Sequence, residues 1–202
     1  EVLALHPDVV VGDSFVPAPT RAALERMHIA LVQLPIAQSV EQSRTQVMQL
    51  ARLAGHADRG QALLGRIDSA LARAEPQPGA RPVSAIVWQS GGIVPGPDSL
   101  IGDMLRRTGF RNLAAEHGMR QADYLPLEEM LADPPQVILA AGNPASQEDR
   151  LLSHPVLAAL KGTRRETLEP SLLWCGGPSM ARTAERLGEI RNTFPLPLAG
   201  GV

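Results

Sequence analysis

Short runs of Val, Ile, Leu and Ala recur along the chain, each followed by a longer stretch in which apolar residues return every three or four positions. Apolar runs with little polar alternation predict strands covered on both faces: Val9–Val11, Ile29–Leu34, Val83–Trp88, Val137–Ala141 and Leu172–Trp174. The intervening patterns predict helices over about 20–27, 39–54, 58–74, 98–108, 126–132, 154–160 and 179–192. Several boundaries carry their own chemical signal. Ser39 and Gln42 have the spacing of a capping box, Asp98 and Ser99 can cap the next helix, and Gly109 suits a left-handed stop. Strand–helix alternation of this kind is the signature of an α/β fold with a mainly parallel sheet.

The stretch from Ser39 to Glu75 breaks the alternation: helical pattern throughout, punctuated only by Gly55-His56, and no strand. Leu63, Ile67, Leu71 and Ala74 fall on one stripe. At 1.5 Å per residue, Asp58–Ala74 would span roughly 25 Å, about the width of a small domain. Pro76-Gln77-Pro78-Gly79-Ala80 follows at once. The stretch reads either as an ordinary surface helix and loop or as a stiff connector between two lobes. An internal echo favours the second reading. Glu1–Val11 aligns without gaps on Glu129–Leu139, each a helix end, a proline and an apolar strand. The expected organisation is the remainder of an N-terminal lobe over 1–38, a helical connector over 39–80 and a C-terminal α/β lobe over 81–202.

Composition narrows the functional classes. The chain has 202 residues, 44% of them hydrophobic and 20% charged, which excludes a disordered tail or a coiled coil. A net charge of −2 offers no basic stripe for nucleic acid. No apolar run approaches the roughly 18 residues of a membrane span. The lone Cys175 cannot form an internal disulfide. His6, His28, His56, His117 and His154 show no ligand spacing, so no metal site built by the protein and no cofactor are expected. The sequence holds no G-x-G-x-x-G after a strand, no phosphate-binding loop of the Walker type, no G-x-S-x-G and no H-E-x-x-H.

In parallel α/β sheets, ligands bind beyond the carboxyl ends of the strands. The segments there are Gly12-Asp13-Ser14-Phe15, Gln89-Ser90-Gly91-Gly92, Gly142-Asn143-Pro144 and Cys175-Gly176-Gly177-Pro178-Ser179. Small residues let a backbone approach a bulky ligand and present N–H groups to it; tight turns need glycine as well, so each loop alone reads either way. Among the few aromatic residues, Phe15 stands amid Gly, Asp, Ser and Pro and is the clearest candidate for an exposed contact, whereas Trp88 reads either as core or as cleft rim. Cys175 is either a small buried residue or, at a helix start with His154 as base, the nucleophile of a doubly wound α/β enzyme.

Taken in order, Pro7-Asp8-Val9-Val10-Val11, the helical stretch 39–74, Ser99–Leu113 ending in Gly109-Phe110-Arg111-Asn112-Leu113, Pro126–Leu131 followed by Pro135, and Trp174-Cys175-Gly176-Gly177-Pro178 resemble the periplasmic substrate-binding proteins of ABC importers. The subgroup most similar is the one for metal chelates: cobalamin, ferric siderophores and haem. The resemblance runs along essentially the whole chain. It implies two parallel-sheet α/β lobes joined by a long rigid backbone helix, a chelate held between them, export to the periplasm, delivery to an ABC permease and no catalysis. On this reading Asp13, Ser14, Phe15, Trp88, Gln89, Ser90, Gly91 and Gly177 contact the ligand. None of these loops carries an arginine to meet an anionic siderophore, which leans toward a corrinoid. The family's permease-docking Glu stands seven residues before the proline that precedes the strand; Glu128 fits, seven before Pro135, and Glu1, six before Pro7, does not. The family's opening strands have no counterpart, so the resemblance implies a truncated or proteolysed N-terminal lobe with a surface open to self-association.

Overall fold

The apolar runs of the first 37 residues form a small parallel βαβ unit. Val9–Asp13 (β1) leads through Ala18–Arg26 (α1) to Ala30–Leu34 (β2), and the two strands pair in parallel from Val9 opposite Ala30 to Asp13 opposite Leu34. α1 stops at Met27, and His28 takes a left-handed conformation with φ +56° that turns the chain into β2. Among the described residues of this unit, Leu24 of α1 is the buried apolar side chain. The computed structural model describes residues 2–142, 154–173 and 176–194. By contacts along the chain it divides into a first unit, Glu1–Ala37, and a second, Gln38–Val202. The helix end expected before β1 is a short 3₁₀ turn, Val2–Leu5.

The second unit opens with the helical pair. Val40–Leu53 (α2) starts at Ser39, whose Oγ accepts the Gln42 N–H at 3.2 Å. The expected capping box closes one residue early: Gln42 Oε1 accepts the N–H of Gln38 at 2.8 Å, not that of the cap itself. Ala57–Ala74 (α3) follows after a turn through Gly55 at φ +72°. Of the stripe foreseen on this helix, Ile67 and Ala74 are buried and Leu63 and Leu71 only partly so; Leu64 and Ala70 complete the core face.

Val83–Gln89 (β3) is the centre of the fold, and all seven residues are buried. It lies between Phe110–Asn112 (β5) and Val137–Ala141 (β7), and Arg164–Thr167 (β8) completes a four-stranded, all-parallel sheet ordered β5-β3-β7-β8. Ile93–Pro95 (β4) and Ala122–Tyr124 (β6) form a separate antiparallel ribbon, with Ile93 opposite Tyr124. Helices Leu100–Arg107 (α4), Leu127–Ala132 (α5), Pro155–Ala158 (α6) and Ser179–Asn192 (α7) complete the order. Side chains of β3 alternate between two cores. Ala85 and Val87 pack with α3, α4 and α7, whereas Ile86 and Trp88 pack with Val94, Leu113, Leu125, Met130 and Leu157. Each large apolar side chain buried this way contributes about 1.5–3 kcal/mol. α3 and α7 approach through small residues, and a Cβ added to Gly188 would stand 3.0 Å from Ala74 Cβ.

Asp103 fixes α2 against α4. Its carboxylate, almost out of contact with solvent, accepts the Val40 N–H at 2.9 Å, Arg106 Nη2 at 2.5 Å and Arg107 Nε at 3.0 Å. Burial on its own would raise its pKa; the Val40 amide and the two guanidinium groups outweigh burial and hold the carboxyl below its ordinary value.

The last predicted strand, Leu172–Trp174, is a correction. The strand there is Arg164–Thr167, and Pro170–Leu172 make a 3₁₀ turn whose Leu172 joins the α3–α7 core. An apolar run flanked by Glu169-Pro170 thus packs as a turn, and a polar run becomes the strand because β7 supplies its hydrogen-bonding partner. Trp174 lies outside the described residues.

Candidate functional site

The carboxyl ends of β1 and β3 carry the candidate contacts, each within its own unit. After β1, the Asp13 carboxylate accepts the Phe15 N–H at 2.8 Å, a local turn that holds Ser14 outward and leaves Phe15 72% exposed. Gln33 Nε2 donates to the Asp13 carbonyl at 3.1 Å and ties the turn to β2. Asp13 and Ser14 are themselves exposed.

After β3 the backbone turns sharply through Ser90-Gly91-Gly92, with both glycines left-handed at φ +71° and +82°. Gln89, the last residue of β3, is only 9% exposed. Trp88 is a correction to the expectation of a rim contact. It is 0% exposed, because the strand's alternation turns its ring into the core formed with Val94, Leu125 and Met130, and its Nε1–H has no partner there.

Gly177 is also redirected. Its N–H donates to Ser43 Oγ on α2 at 3.0 Å, so this donor is spent inside the unit. Gly176 is held against the same hydroxyl so closely that a Cβ would collide with it. The Gly176–Pro178 turn walls one side of an apolar pocket of about 380 Å³ between α2 and α3, together with Val47, Leu50, Leu63, His56 and Arg59. After β7 the described chain ends at Gly142, and Asn143, Pro144 and Cys175 lie outside the described residues. His154, the base paired with Cys175 in the enzyme reading, uses Nδ1 to accept the Val156 N–H at 3.3 Å at the start of α6. Glu128 is exposed in the first turn of α5, and its neighbour Glu129 faces His117 Nδ1 at 3.8 Å.

One residue that the sequence did not single out stands beside the β3 turn. Tyr124 ends β6, is 55% exposed, and lies on the Gly92 backbone; a Cβ at Gly92 would come within 2.9 Å of its ring. The Leu125 N–H donates to the Gly92 carbonyl at 3.1 Å and fixes that contact. Ile93, opposite Tyr124 on the ribbon, is 44% exposed. The sequence signal available for this contact was the left-handed glycine pair, which permits a ring to rest on bare backbone.

Among the described residues no group of three or more His, Cys, Asp or Glu is placed to hold a metal ion, and no helix is long and apolar enough to cross a membrane. The strand ends of each unit carry turns, small residues and an exposed ring: Phe15 after β1 in the first unit, and Tyr124 beside the β3 turn in the second. The family model for periplasmic binding proteins matches residues 1–168, and the chain belongs to that family. The fold is shared with solved structures of periplasmic binding proteins with two lobes. A periplasmic haem-binding protein from Pseudomonas aeruginosa is 25% identical, with a TM-score of 0.73 over 98% of this chain and 76% of that one. The periplasmic haem-binding protein HutB of Vibrio cholerae is 18% identical, with a TM-score of 0.76 over 96% of this chain and 79% of that one. A protein of an ABC-type Fe3+-hydroxamate transport system from Saccharomonospora viridis is 23% identical, with a TM-score of 0.69, covering 93% and 70%. No curated protein sequence matches the chain.

Proposed function

We propose that the protein is a periplasmic carrier that binds a metal chelate with its strand-end loops and hands it to an ABC import permease, with no catalytic step of its own. The observation that carries this reading is family membership over residues 1–168, joined to the exposed Phe15 ring after β1 and the left-handed Gly91-Gly92 turn after β3. Iron-containing guests come first, because the similar structures named above are those of haem-binding proteins and an Fe3+-hydroxamate system. A corrinoid, favoured by the lack of arginine in the loops, has no support from those three neighbours. Phe15 supplies apolar contact, and Asp13, Ser14, Gln89, Ser90 and the Gly91 backbone supply polar contact. Glu128 is the permease-docking residue, on an exposed helix turn where an arginine can reach it.

The test is a titration of the purified protein with hemin, a ferric trihydroxamate and cobalamin, followed by absorbance and calorimetry. Saturable binding of at least one iron chelate is expected; silence with all three would sink the carrier reading. In cells, Glu128→Arg is expected to abolish chelate uptake while binding by the purified variant stays intact. Uptake unchanged by this variant removes the docking role.

A further inference from the structure

Resting on the carrier reading above, we propose that Tyr124, seated on the Gly92 backbone beside Ile93, is the aromatic platform that grips the flat face of a planar chelate such as a metalloporphyrin.

Two observations converge on this shelf. Its place is the carboxyl end of β3, the central strand of the four-stranded sheet, where ligands of parallel α/β folds are held. Its surface is built for contact: Tyr124 and Ile93 stand directly opposite each other on the β4–β6 ribbon, and both are exposed. An aromatic–aliphatic pair of this kind presents a broad apolar face with little conformational freedom. One side of the Tyr124 ring is pinned by Gly92, whose missing side chain and φ of +82° are what allow the ring to lie there.

Offset stacking on the ring rewards a planar conjugated guest and does little for a globular one. Tyr124 is thus a specificity-determining residue, sorting flat macrocycles from compact ferric hydroxamates.

The experiment compares wild type, Tyr124→Ala, Tyr124→Phe and Gly92→Ala in hemin and ferric trihydroxamate titrations, with thermal melts to confirm folding. Tyr124→Ala is expected to weaken hemin binding about tenfold and to leave hydroxamate binding within about threefold. Tyr124→Phe, which keeps the ring, is expected to bind hemin within about threefold of wild type. Gly92→Ala, which lifts the ring from its seat, is expected to follow the alanine variant. A folded Tyr124→Ala protein that binds hemin as wild type does overturns the platform and leaves the carrier reading standing; equal losses for both guests overturn its role in selection. A wild type that binds no chelate refutes the carrier reading and the platform with it.

Discussion

Asp103→Ala removes the clamp between α2 and α4. Three bonds end on this carboxylate, and only the one from the Val40 amide lies wholly inside the fold. A backbone bond to a buried charged acceptor is worth about 1.5–3 kcal/mol, and its loss leaves an amide without a partner at the start of a helix. Arg106 is mostly exposed and Arg107 partly so, and their ion pairs with Asp103 together add about 1 kcal/mol at most. The expected loss is therefore about 2–4 kcal/mol at neutral pH. Asp103→Asn, which keeps an oxygen for Val40 but lacks the charge, is expected to lose about half of that. The charge also dictates a pH dependence. Because the carboxyl is held below its ordinary value in the folded protein, it stabilises above the unfolded carboxylate range, and this stability drains away as pH falls through the folded value. The gap between wild type and Asp103→Asn should thus be widest near pH 7 and should close below about pH 4. Urea unfolding followed by far-UV circular dichroism at pH 7 and pH 3 measures it. An Asp103→Ala protein within about 0.5 kcal/mol of wild type at pH 7, or an Asn gap equal at both pH values, would refute the reasoning.

Two further substitutions separate packing from binding. Trp88→Ala empties a fully buried site and is expected to cost about 3–5 kcal/mol, whereas Phe15→Ala, at an exposed position, is expected to stay within about 0.5 kcal/mol in the same melt; equal losses would contradict the placement of Trp88 in the core. Gly188→Val wedges α7 away from Ala74 on α3 and is expected to destabilise by about 1–3 kcal/mol, and an unchanged melting temperature would show that the two helices are less tightly opposed.

The parallel strands β3 and β7 were legible because residues buried on both faces leave an unbroken apolar run; β1 and β2 carry such runs too, but their side chains are half-buried or exposed, against the expectation of cover on both faces. That same property hid Trp88, since a run without alternation does not reveal which side chains face the core and which the rim. β8 was illegible for the opposite reason: Arg-Arg-Glu-Thr has no strand pattern, and only pairing with β7 makes it one. The three-residue strands of the β4–β6 ribbon and β5 are too short for any period to register. Helix starts were the most readable feature, because Ser39 and Ser99 act through bonds only three residues long, Ser99 Oγ accepting the Gly102 N–H at 3.1 Å. Among the site residues, Asp13 and Phe15 sit on a local turn that the sequence could encode. Tyr124 reaches Gly92 across 32 positions through a contact that no local pattern announces.

The outermost strands of the four-stranded sheet are β5 and β8, and both are short and carry guanidinium side chains: Arg111 on one, Arg164 and Arg165 on the other. Another sheet approaching either border would bring cation against cation and would have to break the Arg111–Glu116 and Arg164–Glu166 pairs. The borders of this sheet therefore resist the strand-to-strand stacking that seeds fibrils.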